Sequence, residues 1–173
     1  MKEGFETFGN TINLMDYSMP GYAGILVYTL IGIIATILMQ SSHATIILVI
    51  TALATGQVEY LNALALVIGA NVGTTITAVI GSLTSNISGK RLALSDVLFK
   101  TSTGILFVIF LPLLVHFVDI LSSLLGIGSE NYTLKLAVFH TLFNISGIII
   151  VIPLRKYLIA FVSKVFPEKT SQK

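Results

Sequence analysis

YAGILVYTLIGIIATILMQSSHATIILVITALA, residues 22–54, contains no Asp, Glu, Lys or Arg. The uncharged run extends from Tyr17 to Val58, about twice the ~20 residues that one helix needs to cross a bilayer core. It is not uniformly apolar. Tyr22 to Met39 is nearly so, the island QSSHAT (Gln40 to Thr45) interrupts it, and Ile46 to Ala54 resumes. A stretch too long for one straight crossing and polar at its centre predicts a helix, a break, and a second helix folded back as a re-entrant hairpin. Irregular backbone at membrane depth survives only where protein buries it or water reaches it, so the break demands a function.

The rest of the chain fits that solvent. Hydrophobic residues make up 54% of the 173, charged residues only 10%, and the mean hydropathy is +0.92; an ordinary soluble domain carries roughly 25% charged residues. A second uncharged run, Tyr60 to Gly89, is expected to break at GANVGTT (Gly69 to Thr75), and Thr101 to Val118 and Leu136 to Ile152 each read as one crossing. The fold class is therefore all-α: a polytopic membrane protein with broken, re-entrant helical hairpins. A net charge of +2 argues against a nucleic-acid partner, and the absence of cysteine excludes disulfides and thiolate metal sites.

Basic loops orient the chain, because short loops rich in Lys and Arg stay cytoplasmic. Lys90, Arg91 and Lys100 precede one span, and Arg155, Lys156, Lys164, Lys169 and Lys173 follow the last. Both places are expected on the cytoplasmic side of the plasma membrane, the C-terminus included, with Asp119 to Lys135 outside. Asn131, Tyr132 and Thr133 in that outer loop spell a glycosylation-type triplet but read as a polar turn. The chain divides into three regions: a polar N-terminal segment (1–16), a transmembrane repeat (17–153) and a basic amphipathic tail (154–173) lying in the inner interface and ended by Pro167. The start, MKEGFETFGNTINLMD, lacks the features of a signal peptide and reads as a mature beginning.

The islands carry the chemistry. QSSHAT offers the Gln40 amide, the hydroxyls of Ser41, Ser42 and Thr45, and backbone groups freed by unwinding. In broken transporter helices, half-helix N-termini face anionic substrate groups and unwound carbonyls hold coupling ions. GANVGTT repeats the logic: Gly69 and Gly73 permit backbone shapes closed to other residues, while Asn71, Thr74 and Thr75 supply donors and oxygens. Helix packing by small residues is the competing reading of both clusters. His43 lies inside the first island as a candidate proton-sensitive group. His140 and Asn144 share a helix face in an apolar span, where ionisable groups turn inward. Asp96 and Lys100, one turn apart, read as a structural ion pair, and Glu59 as a solvated turn. ALSDVLFK (Ala93 to Lys100) and AVFHTLFN (Ala137 to Asn144) share Ala, Leu and Phe at matching offsets. No nucleophile and base, metal-ligand spacing or phosphate loop suggests an enzyme.

The order QSS-x-AT, GAN-x-GTT, a basic loop, A-x-x-x-x-LF, FHTLFN and a closing Pro153 resembles the type II sodium/phosphate cotransporter family from about Gly21 to Pro153. The resemblance implies a carrier of two inverted repeats, each giving a QSS-type hairpin to one central site. Gln40, Ser41, Ser42 and Thr45 would contact ions or phosphate, sodium being held through Gln40 and Ser41. Asn71, Thr74 and Thr75 would complete the site, with Gly69, Gly73, His140 and Asn144 in support. Sodium enters as a coupling ion, and no other cofactor is implied. Two departures stand out: His43 replaces a serine of the motif, and Asp96 and Lys100 stand where many members have His and Asn. Only one QSS segment is present, so the chain resembles one repeat, the second. A second copy or a partner chain would supply the other half, unless the sequence is part of a longer one. The expectation is sodium-coupled phosphate transport by a half-transporter in the lipid bilayer; the alternatives are a non-transporting membrane scaffold or regulatory subunit, or a carrier of another small anion.

Overall fold

The computed structural model describes residues 21–167, and every regular element among them is helical. The N-terminal segment, where a mature start was expected, and the last residues of the tail lie outside the described residues. The elements are α1 (Tyr22–Met39), α2 (Ser42–Ala54), α3 (Tyr60–Gly73), α4 (Thr75–Leu83), α5 (Ile87–Ile109), α6 (Leu111–Leu124) and α7 (Tyr132–Val165). Four stretches are long and apolar enough to cross a membrane: Tyr22–Met39, Tyr60–Leu83, Ile87–Ile109 and Tyr132–Val165.

α3 is the centre of the bundle. Ala63, Leu64, Ala65, Val67, Ile68 and Ala70 are fully buried, although a helix apolar all round would be equally at home in lipid. α1 packs against α3 backbone to backbone. A Cβ added at Gly32 would overlap the carbonyl oxygen of Leu66, one at Gly69 would overlap that of Thr29, and one at Gly73 would lie 2.8 Å from that of Ile33. Gly69 faces Thr29, Gly32 and Ile33, whereas Gly73 faces Ile33 and Thr36, so the contacts advance along both helices and α1 and α3 run parallel. Two parallel helices joined by a third require that third to return, and α2 therefore folds back beside them as the hairpin expectation requires.

α5 runs antiparallel to α3, with Gly104 facing Val72 and Ile68. α7 runs parallel to α3, since the Tyr60 and Tyr132 rings lie 5.0 Å apart at one end and Asn71 meets His140 further along. Phe107 of α5 meets Phe139 and Phe143 of α7 edge-on, at 5.6 and 4.9 Å between ring centroids. Outward, the surface is apolar: Leu38, Leu83, Leu92 and Leu124 are exposed. Water is the wrong solvent for such a surface.

Three expectations change. Thr101 to Val118 is not one crossing: α5 ends at Ile109, and Phe110 separates it from α6, whose first turn holds Pro112. Proline has no N–H for the carbonyl four residues back and favours a first turn, so the helix restarts there. The tail does not form a separate helix, because α7 continues through Pro153 to Val165. One missing hydrogen bond is tolerated when neighbours shield the backbone. Lys135, placed in the outer loop, is instead a buried residue of α7 whose ammonium pairs with Asp119 of α6 at 2.7 Å. Asn131 caps α7, its side chain accepting from the Leu134 N–H at 3.1 Å, which gives the polar-turn reading of that triplet a structural role.

Candidate substrate and ion site

The hairpin turns within two residues. Gln40 closes α1 in the left-handed region (φ 51°, ψ 25°), the one non-glycine with positive φ among the described residues. For a residue with a Cβ that conformation costs about 1–2 kcal/mol. Ser41 is extended (φ −152°) and caps α2, its hydroxyl accepting from the Ala44 N–H at 3.3 Å. Across the turn, Thr36 Oγ1 donates to Thr45 Oγ1 at 2.9 Å, and Thr45 Oγ1 donates to the Ser41 carbonyl at 3.1 Å. Both threonines are buried, at 0% and 2% exposure. Two hydroxyls thus staple the end of α1 to the start of α2. Sequence reading missed Thr36, a lone threonine in an apolar run.

The turn is set back from one end of the neighbouring span. Thr36 touches Gly73, so Gln40 stands about one turn beyond that level, whereas the α3–α4 span continues to Leu83. At 1.5 Å per residue the tip stops on the order of 10 Å short of the far end. α2 therefore begins, and α1 ends, short of the end of that span, where their terminal N–H and carbonyl groups have no intrahelical partners.

GANVGTT behaves differently from its expectation. Gly69, Ala70, Asn71, Val72 and Gly73 are helical, and the interruption is Thr74 alone, itself in right-handed geometry (φ −62°, ψ −20°). Gly69 and Gly73 serve close approach to α1 and not unusual backbone shapes, because the backbone of α1 occupies the space a side chain would need.

Polar side chains here form a connected series. Asn71 Nδ2 donates to the Val67 carbonyl at 3.0 Å, and Asn71 Oδ1 lies 3.1 Å from His140 Nε2. The His140 ring stands edge-on to that of His43, 6.5 Å between centroids, which carries the series to the hairpin tip. In the other direction Thr74 Oγ1 donates to the Asn71 carbonyl at 2.6 Å and accepts from Lys100 Nζ at 3.0 Å. Lys100 in turn pairs with Asp96 at 3.0 Å. Thr75 bonds back to the Val72 carbonyl at 2.8 Å. Lys100 was read as a flanking charge; it lies mid-helix against the second island, and its i, i+4 carboxylate was the one sequence signal of it.

Of the predicted residues, the fold brings His43 and His140 together and links Asn71 to both His140 and Thr74. Gln40 and His43 are exposed, and Ser42 is buried beside them. Asn144 is not drawn in: it stands exposed, its amide donating to the His140 carbonyl at 2.9 Å. An open hollow of about 730 Å³ lies elsewhere, between Leu53, Ala54 and residues 128–133, and no island residue lines it. No group of three or more metal-ligating residues occurs among the described residues.

These features define a polytopic helical membrane protein with a re-entrant hairpin opposed to a second polar island. Residues 23–138 match the Na+/Pi-cotransporter family, and the chain belongs to that family. It is 31% identical over 147 residues to a protein of Escherichia coli K12 named "Putative inorganic phosphate export protein YjbB", covering 85% of this chain and 25% of that one. The protein of that name in Salmonella typhimurium is 28% identical over 163 residues, 94% of this chain and 28% of its own. The uncharacterized protein YqeW of Bacillus subtilis is 28% identical over 140 residues, 81% of this chain and 43% of its own. The chain thus spans about a quarter of the length of the YjbB proteins it matches. No solved structure matches it.

Proposed function

We propose that the chain is one repeat of a sodium-coupled carrier of inorganic phosphate, and that a second copy, a partner chain or another part of a longer polypeptide supplies the facing half. The observation that carries this reading is the hairpin tip, a helix start and a helix end that meet short of the end of the neighbouring span, beside GANVGTT. Phosphate is held by the opening N–H groups of α2 and by hydroxyl donors, where the helix dipole favours an anion. The donor set at the tip suits sodium as co-substrate: Gln40 Oε1, Ser41 Oγ and the last carbonyls of α1 are all hard oxygens. Family membership and the names of the Escherichia coli and Salmonella relatives support phosphate as the cargo; the names favour export, and a carrier works in either direction as gradients dictate.

The membrane proposed is the plasma membrane, with the basic ends cytoplasmic. Arg91 Nε donates to the Phe166 carbonyl at 2.9 Å, so the two basic segments share one end of the bundle, as the charge rule requires.

The test is flux in liposomes holding the full chain with whatever completes it. Sodium-driven phosphate movement is expected, falling at least about tenfold in Gln40→Ala while the protein stays folded. Unchanged flux in that variant would remove Gln40 from the site, and flux indifferent to sodium would remove the coupling. One observation favours a non-transporting scaffold: the Thr45 hydroxyl is spent closing the turn. A folded assembly that moves neither phosphate nor another small anion would select that reading.

A further inference from the structure

The ion pair in α5 is built where a purely structural pair has least reason to be. Lys90 and Arg91 hold the end of that helix, where charge costs little and orients the chain. Asp96 and Lys100 lie two and three turns further in, and Lys100 is about 20 Å along α5 from Ile87. Ionisable groups at such depth are expensive and face the interior or a watery path. An ammonium has three donors. In the resting pair they face three oxygens, with Asp96 Oδ1, Asp96 Oδ2 and Thr74 Oγ1 each 3.0 Å from Lys100 Nζ. The side chains of Lys100 and Asp96 keep 24% and 26% of their exposure, so the pair is open to a ligand.

We infer that Lys100 is a specificity-determining cation for the transported anion, tethered to the second island through Thr74 and charge-balanced by Asp96 until the anion arrives. The inference rests on the carrier reading above. An oxyanion leaving water for membrane depth needs a charged donor as well as backbone N–H groups, because desolvation otherwise exceeds what neutral hydrogen bonds return. Lys100 touches Thr74, and Thr74 touches Asn71, so the cation is part of the same polar series as the hairpin tip. Asp96 keeps that cation from attracting any passing anion and leaves the resting site with no net charge. A tetrahedral oxyanion competes with the carboxylate for the N–H groups of Lys100. No covalent step is involved.

The experiment measures binding of radiolabelled inorganic phosphate to the full chain with whatever completes it, in membranes of cells producing both, for the wild type, K100R, K100Q and the exchange D96K/K100D. Thermal stability of each is followed in parallel. Expected are a Kd about tenfold or more weaker in K100Q, one within about threefold of wild type in K100R, and an exchanged pair that regains stability without regaining phosphate affinity. A structural strut predicts that affinity returns together with stability in the exchange, since the two charges still meet one turn apart. Wild-type affinity in K100Q, or full affinity in the exchange, overturns the inference alone. Should K100Q fail to fold, the exchange decides. A completed wild-type assembly that binds no phosphate overturns the carrier reading and this inference together.

Discussion

The two islands are built from similar residues and do opposite things to the backbone. QSSHAT stops a helix: Gln40 turns left-handed, Ser41 caps α2, and Thr36 and Thr45 tie the ends together. GANVGTT barely interrupts one, because its glycines let α1 lie against α3 and its single joint, Thr74, keeps helical angles. Small polar residues in an apolar run therefore have two uses, and the neighbour decides between them. Where another backbone occupies the Cβ position, glycine is a packing residue. Where serine offers its oxygen to an N–H three residues on, a new helix begins.

That contrast breaks most sharply at Gly69. Gly69→Ala places a methyl group against Thr29 and Ile33 backbone that cannot move aside, and should destabilise the protein by about 3 kcal/mol or more. Gly81, with nothing within 4 Å of an added Cβ, should accept alanine without loss. Thermal unfolding in mild detergent reads both; equal midpoints for the two variants would dissolve the seam. Thr45→Val comes next. It takes away the acceptor of the buried Thr36 hydroxyl and should cost about 1–2 kcal/mol, with Thr36→Val/Thr45→Val recovering part of the loss. A double variant no better than the single one shows that the staple is not a coupled pair.

The smallest effect is expected at Gln40. Gln40→Gly removes the side chain but suits the left-handed backbone, so stability should stay within about 1 kcal/mol of wild type. If the turn unfolds, the amide holds the hairpin rather than a ligand. If the turn survives and phosphate flux disappears, the role of Gln40 lies in its side chain.

Much of the fold was legible in hydropathy. The bounds of α1 coincide with the apolar piece Tyr22 to Met39, and the hairpin is implied by an uncharged run twice too long for one crossing. Pro112 and Pro153 were harder. One restarts a helix and the other is carried within one, although both interrupt apolar runs. A local rule gives the missing hydrogen bond, and the surroundings of the freed carbonyl determine whether the helix survives it.

The site was legible in part for the same reason. Serine, glutamine and threonine clustered in hydrocarbon signal a break at any distance from other residues, so Gln40 to Thr45 could be singled out one position at a time. Thr36 and Lys100 could not, since each matters through a residue 9 or 26 positions away. The sequence alone determined the solvent, the helical class and the place where the first long run must turn, because these depend on local composition and on the thickness of a bilayer. Only the tertiary structure decided that Gly69 and Gly73 are contact surfaces, that His140 meets Asn71, and that Lys100 reaches Thr74. Those are relations between helices, fixed by which faces pack, and a composition rule carries no information about a partner it cannot see.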